Sequence, residues 1–375
     1  MTTICATLYE HLTSHPDLAN FKLEFSPDQE GFEDIDFFCD VNDAKKSAEL
    51  VVFRKTYFKV FKEAHALFER YILNVDKRDQ LTWDDYLMTI GYLLTTSENK
   101  MIINIHEECV LRLLLQKKDP AQLMKMELLV IERLLTCTRN SVNKSSSLWI
   151  WYRKLFILCR NFKNLDKEKL MIQLISTIRT SACLHPSNYY CWTTSRWIFD
   201  NMYDTKHKEQ LYEMTLEFSL SHPNDCSSWS ALCYMICQSR LRLAYNTQDY
   251  ERLYQRYTSS NIGITPKSNH TEVLHLTIDI PKFTDKITHY VDTLAIKDWP
   301  VFLCLSKVTS TYGGTSVPAY LQTWSEQISE FERNHGSIEF TNRNPIIPKD
   351  RSTDLTLSNS IIHYGWKKRV VESMM

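Results

Sequence analysis

The sequence predicts an all-α fold built from stacked helical hairpins, and three observations lead there. A Trp-centred pattern recurs: His185, followed by Pro186, precedes Trp192 by the same seven residues by which His222, followed by Pro223, precedes Trp229. Upstream, Trp149 and Arg153 keep the four-residue spacing of Trp192 and Arg196. A recurring unit of about 35–45 residues cannot bury its apolar face alone and must stack on its neighbours. Only 7 of the 375 residues are glycine, far below the roughly 7% of average usage, which argues against an all-β fold and against Gly-rich nucleotide loops. Between the recurrences, apolar residues fall at offsets of three and four, the pattern of paired amphipathic helices.

Residues 1–43 open with a short amphipathic helix and pass through Ser26-Pro27 into an acidic loop holding Glu33, Asp34 and Asp36. An acidic loop before a helix accounts for Asp34 and Asp36 better than a metal site does. The repeat array is assigned to residues 44–257. It starts with Asp43 as N-cap of one long helix to Leu73, striped by Ala48, Val52, Phe58, Phe61, Phe68 and Ile72. A helix from Trp83 to Leu94 stops at a polar run, and Met101 to Leu115 forms a degenerate unit with Glu108 where Trp would stand and Arg112 four residues on. Asp119-Pro120 supplies an N-cap and a first-turn proline to a return helix faced by Leu123, Met126, Val130, Ile131, Leu134 and Leu135.

Asn143 to Leu158 begins the Trp149 unit, and its partner helix after Asn164 shows Leu170, Met171, Leu174, Ile175 and Ile178. Ser187 or Asn188 caps the Trp192 helix, which returns on Leu211, Met214, Leu216 and Phe218 before the Trp229 unit. Residues 258–350 read as an irregular insertion with helices. Within it lie a loop at 258–270, a strand-like alternation from Leu274 to Ile280, and breaks at Gly313-Gly314 and from Asn342 to Lys349. Residues 351–375 return to the pattern as a terminal half-repeat, with Asn359 seven residues before Trp366.

The 44 basic and 45 acidic residues leave a net charge of −1, so no whole-chain attraction to nucleic acid or anionic membrane is expected. Eleven cysteines, several within apolar runs, indicate buried thiols of a reducing compartment and a cytoplasmic protein without disulfides. No stretch reads as a signal peptide or an integral membrane segment. An isoprenoid-synthase reading of Trp83-Asp84-Asp85 fails because Met88 stands where a further carboxylate is required, and Asn201, Thr205 and Glu209 straddle a turn. Cys226, Cys233 and Cys237, with His222 near, lack the paired spacing of a zinc site. No metal ligand set is expected.

Asn188-Tyr189-Tyr190-Cys191-Trp192 with Arg196-Trp197, preceded by a proline and echoed at Trp149, Trp229 and Trp366, resembles the protein prenyltransferase α-subunit repeat. The resemblance covers about residues 99–245 and the tail from Asn359. It implies a right-handed superhelical crescent of antiparallel helical hairpins, an α-solenoid that wraps around a β subunit. Zinc and geranylgeranyl diphosphate would sit in that partner, and this chain would bind no cofactor itself.

The resemblance also implies a catalytic Lys144, five residues before Trp149, whose ammonium would stabilise charge on a departing diphosphate. Asn188, Tyr189 and Tyr190 would meet partner or substrate, and Trp149, Arg153, Trp192, Arg196, Trp229 and Trp366 would form the repeat frame. The sequence departs from the family at Ser146 and Ser147, where Tyr and Gln are usual, at Tyr190 in place of His, and at Cys233 in place of Arg. The implied function is the α-type subunit of a heterodimeric protein geranylgeranyltransferase. It would be active only with a β subunit of the Rab geranylgeranyltransferase type, acting on cysteines of Rab or SNARE-type proteins. The other expectation is a non-catalytic α-solenoid scaffold or regulator of prenylation and membrane traffic.

Overall fold

The structure is a computed structural model. It describes the chain apart from residues 1–2, 19, 74–80, 117–118, 203, 239, 261, 263, 265–275, 313–318, 343, 349–351, 353 and 375, and apart from the side chains of residues 68 and 70–73. Sixteen helices dominate the described residues, and none is long and apolar enough to cross a membrane. The chain divides into two compact units, Met1–Tyr203 with Ala244–Glu272, and Asp204–Leu243 with Val273–Met375.

The first unit corrects the sequence reading at its start. After α1 (Ile4–Thr13) come three strands, β1 (Asn20–Ser26), β2 (Phe37–Asn42) and β3 (Ser47–Phe53). They form one sheet in the order β1-β3-β2, with β1 parallel and β2 antiparallel to β3. The long helix expected from Asp43 therefore begins only at α2 (Arg54–Leu73). Ala48, Leu50 and Val52 are buried while Ser47, Glu49 and Val51 between them are less so, a period of two. Ala48 and Val52 also fit a helical offset of four, which is why the helical reading survived. The α2 stripe moves as well: Thr56, Val60, Ala64 and Leu67 are buried, whereas Phe58 and Phe61 are exposed. The expected stripe residues Phe68 and Ile72 lie outside the described side chains.

Helix α3 (Trp83–Thr95) starts in a capping box, with Thr82 Oγ1 taking the Asp85 amide and the Asp85 carboxylate taking the Thr82 amide. Gly91 lies where α1 and α2 press closest, since a Cβ there would stand 2.6 Å from Cys5 Sγ and 3.0 Å from Val60 Cγ1. Then follow α4 (Lys100–Gln116), α5 (Pro120–Leu135), α6 (Asn140–Asn143), α7 (Ser146–Asn161), α8 (Lys167–Leu184) and α9 (Tyr189–Asn201). Asp119 caps α5 as expected. The helix expected from Asn143 is interrupted, because the Ser145 side chain accepts the Leu148 amide and starts α7 anew. Helix α7 packs against α4, α5, α8 and α9, and most of α12 (Arg240–Thr258) belongs to this unit.

The second unit holds α10 (Thr205–Ser221), α11 (Cys226–Cys237), α13 (Ile280–Thr293), α14 (Trp299–Tyr312), α15 (Ala319–His335) and α16 (Leu355–Met374). Helix α14 is central, packed on α11, α13 and α16. The strand-like alternation ending at Ile280 is not a strand where it is described: residues 276–279 are irregular and Asp279 caps α13. Its earlier part, most of the loop at 258–270, and Gly313-Gly314 lie outside the described residues. The break from Asn342 contains a two-residue pairing of β4 (Phe340–Thr341) with β5 (Asn344–Pro345).

Candidate functional site

The start of α9 shows what the recurring motif does locally. Asn188, fully buried, takes the Cys191 amide on its side-chain oxygen and donates to Asn143 Oδ1 at 2.6 Å and Ser181 Oγ at 3.2 Å. It joins the turn before α7, helix α8 and helix α9 in one buried knot, out of reach of any partner. Trp149, Trp192 and Trp229 are almost wholly buried, and Trp366 nearly so. Their indole nitrogens close turns where partners are defined: Trp149 donates to Asn143 O at 2.7 Å, Trp229 to His222 O at 3.3 Å and Trp366 to Lys297 O at 3.0 Å. The seven-residue spacing of His222 and Trp229 is therefore a hydrogen bond that pins the preceding turn to its helix.

The adjacent motif tyrosines do the opposite. Tyr189 is 57% exposed and Tyr190 41%, with their rings edge to face at 5.4 Å. Lys144 caps the end of α6 and its ammonium donates to Pro186 O at 3.0 Å, which holds it beside the turn that leads to Tyr189. Arg153 donates from Nε to Thr194 Oγ1 at 3.0 Å and lies 5.9 Å from the Trp197 ring centre. Arg196 reaches Thr193 Oγ1 at 3.0 Å. Burial, joined by the repulsion of Arg196 and opposed by Asp249, draws the Arg153 guanidinium down to about 10, and the rings of Tyr245 and Tyr189 lie near the same charge. Lys144, Arg153, Tyr189, Tyr190, Arg196 and the exposed Tyr245 thus form one basic, aromatic face.

Sequence reasoning missed the carboxylates buried inside this unit. Glu127, fully enclosed, accepts from Tyr86 Oη, Trp151 Nε1 and His106 Nε2, each at 2.8 Å. Burial pushes its carboxyl up, but the His106 charge and hydrogen bond, with those of Trp151 and Tyr86, hold it below the usual carboxylate range. Glu107 pairs with Lys154 at 2.5 Å and accepts from Tyr257 Oη at 2.7 Å. Glu132 accepts from Tyr152 Oη at 2.9 Å and Gln173 Nε2 at 3.1 Å, and burial lifts it to about 7 against those bonds. The signal was present in the sequence: Glu127 stands four residues after Leu123 and four before Ile131, on the face already assigned to the core.

Glu132 also borders a cavity of about 540 Å³ lined by β1, β3, α5 and α8, together with Phe21, Arg133 and Thr177. Arg133 is committed to structure, donating to the carbonyls of Leu12 at 2.8 Å, Ser14 at 2.9 Å and His15 at 3.0 Å, with its guanidinium 3.7 Å over the Phe21 ring. Asp85, part of the Asp-rich stretch, is spent on its capping box.

Three family models match the chain in order: the ECM9 N-terminal domain over residues 1–136, the ECM9 middle domain over 148–257 and the ECM9 C-terminal domain over 280–375. Protein ECM9 of Saccharomyces cerevisiae is 35% identical over 374 residues, covering 97% of this chain and 94% of that protein. These matches correct the expectation drawn from the Asn-Tyr-x-x-Trp resemblance. The family is not the prenyltransferase α-subunit repeat. The geranylgeranyltransferase activity, the β-subunit partner and the role in regulating prenylation that followed from it lose their support. The physical reason lies in the motif, whose Asn188 and tryptophans cap and pack a hairpin, tasks that any helical array must meet. With three consecutive domains matched and a relative aligned along nearly its whole length, the chain belongs to the ECM9 family.

Proposed function

We propose that this chain is a helical-repeat binding protein that docks an acidic protein segment on the face of Lys144, Arg153, Tyr189, Tyr190, Arg196 and Tyr245. The observation that carries the reading is the pairing of exposed tyrosines with two neighbouring arginines, one of which is already largely desolvated. Tyrosine and arginine are the residues most often found at binding hot spots, because they offer large contact area and planar donors. Asp249, the acidic neighbour that acts on Arg153, is itself engaged by Trp197 Nε1 at 3.1 Å and Arg252 at 2.8 Å. Lys144, Arg153 and Arg196 thus bring three cationic side chains to the neighbourhood of the exposed tyrosines, which favours an acidic partner.

The α-solenoid architecture belongs to the same reading, supported by the packing of α7 on both α4 and α5 and of α9 on both α7 and α8. So does a cytoplasmic location, supported by eleven cysteines without a disulfide.

The test is photo-crosslinking in cells from position 190, with a second label at exposed Ile172 as control, followed by mapping of the captured segment. Capture of an acidic segment from position 190, lost at least about tenfold in Arg153→Glu/Arg196→Glu, is the expected result. A segment without acidic residues, or equal capture by the charge-reversed protein, overturns the reading.

A further inference from the structure

The two edges of the three-stranded sheet differ. Along β1 the turn after α5 closes in, with the Thr138 amide donating to Leu23 O at 3.0 Å. Among the described residues β2 pairs with β3 alone, residue for residue from Phe37 opposite Val52 to Asn42 opposite Ser47. The ladder decides which backbone groups of β2 stay outside. Asn20 N donates to Lys46 O, so Lys46, Ala48, Leu50 and Val52 turn their peptide groups to β1, and Ser47, Glu49 and Val51 turn theirs to β2. Asn42, Asp40 and Phe38 stand opposite those three. Phe37, Cys39 and Val41 therefore direct N–H and C=O to the free edge, where no described residue bonds them.

An open edge is a template for a further strand, and proteins usually blunt it with proline, a bulge or lysines. Strand β2 has none of these, and its one charge is Asp40. Its surroundings are acidic instead: residues 28–43 hold seven Asp or Glu and no Lys, Arg or His. Asp36 pairs with Lys59 at 2.6 Å, Asp28 takes the Lys55 amide at 2.8 Å and Glu33 the Gly31 amide at 3.0 Å. Glu30, Asp34, Asp40 and Asp43 are exposed, and none forms an ion pair among the described residues. The nearest cations in sequence, Lys45 and Lys46, stand in the turn beyond the end of β2. A second copy of this edge would set carboxylates against carboxylates, which disfavours it. Charge complementarity selects a basic strand.

We propose that the free edge of β2 docks an extended, basic segment of a partner protein as a fourth strand of this sheet. Backbone bonds to Phe37, Cys39 and Val41 supply the pairing, and the carboxylates around β2 select lysines or arginines on the incoming strand. Phe38, exposed and on the same face of β2 as Asp40, offers it apolar contact. This surface uses none of the residues of the basic, aromatic face.

The experiment follows the fluorescence anisotropy of a labelled peptide that alternates lysine with valine as the full-length protein is added, with a glutamate–valine peptide as comparison. Saturable binding of the basic peptide alone is expected, weakened at least about tenfold in Asp34→Lys/Asp40→Lys. Cys39→Pro should weaken it as much, since it deletes one outward N–H on an edge strand, where proline is tolerated. Hydrogen exchange of the wild-type protein adds a readout that stands even if Cys39→Pro misfolds: the peptide should slow the amides of Phe37, Cys39 and Val41. No saturable binding, equal binding of the acidic peptide, equal affinity in folded Cys39→Pro, or unchanged exchange at those three amides would each overturn the proposal. Self-association of the protein that Cys39→Pro abolishes would assign the edge to a second copy and overturn it too.

Discussion

Nε2 of His106 lies 2.8 Å from Oε1 of Glu127, and neither side chain is exposed to solvent. The other ring nitrogen, Nδ1, is 2.7 Å from Thr89 Oγ1, whose own hydroxyl donates to Tyr86 O at 2.6 Å. Both ring nitrogens of His106 are therefore hydrogen-bonded, one to the Thr89 hydroxyl and one to the Glu127 carboxylate. Tyr86 and Trp151 satisfy the remaining carboxylate capacity, which is the condition for a buried carboxylate to be tolerated.

Removing the carboxylate leaves its buried donors without an acceptor. Glu127→Leu strands His106 Nε2 together with the Tyr86 and Trp151 donors, and a loss of about 3–5 kcal/mol is expected. Urea unfolding measures it. A loss below about 1 kcal/mol would mean that the fold does not depend on this buried carboxylate.

Glu132 makes stability depend on pH in the opposite sense from a salt-bridged carboxylate. Its folded value of about 7 lies above the ordinary 4.5, so between these limits the folded protein holds a proton that the unfolded chain has released. Stability from this group then falls as pH rises through that window, by up to roughly 3 kcal/mol. Glu132→Gln should flatten this limb and exceed the wild type in stability at pH 8. Parallel stability curves for the two proteins from pH 5 to 8 would refute the assignment.

Asn188 and Lys144 are predicted to separate packing from surface chemistry. Asn188→Ala removes an N-cap and leaves buried Asn143 short of a donor, at a cost of about 2–3 kcal/mol. Lys144→Ala loses one exposed hydrogen bond and should stay within about 0.5 kcal/mol of wild type. Comparable melting temperatures for the two variants would contradict this division.

Trp192 is wholly enclosed, and Trp192→Ala should cost about 3–5 kcal/mol through lost burial and the cavity left behind. Calorimetry checks it, and a shift of only a degree or two would show that the hairpin does not rely on this indole.

The helices were legible in the sequence because capping and periodicity are local properties. Asp119-Pro120 and Asn188 sit where their side chains can reach amides three residues on, and Trp149, Trp192 and Trp229 each fall on the buried face of a helix. The exposed Tyr189 and Tyr190 were picked out by motif resemblance, and their accessibility came from the helix face they occupy.

Only the tertiary structure decided what depends on distant residues. Ser47 to Phe53 could satisfy either period until β1, a segment 27 residues earlier in register, supplied a parallel partner. The charge of Glu127 is tolerable only because Tyr86, His106 and Trp151, from three other helices, converge on it. The Cys237 thiol reaches Lys307 O only because α14 packs on α11. Local sequence determines how a helix starts, stops and turns its apolar side inward. Which polar groups that inward side must satisfy depends on the neighbours brought there by folding.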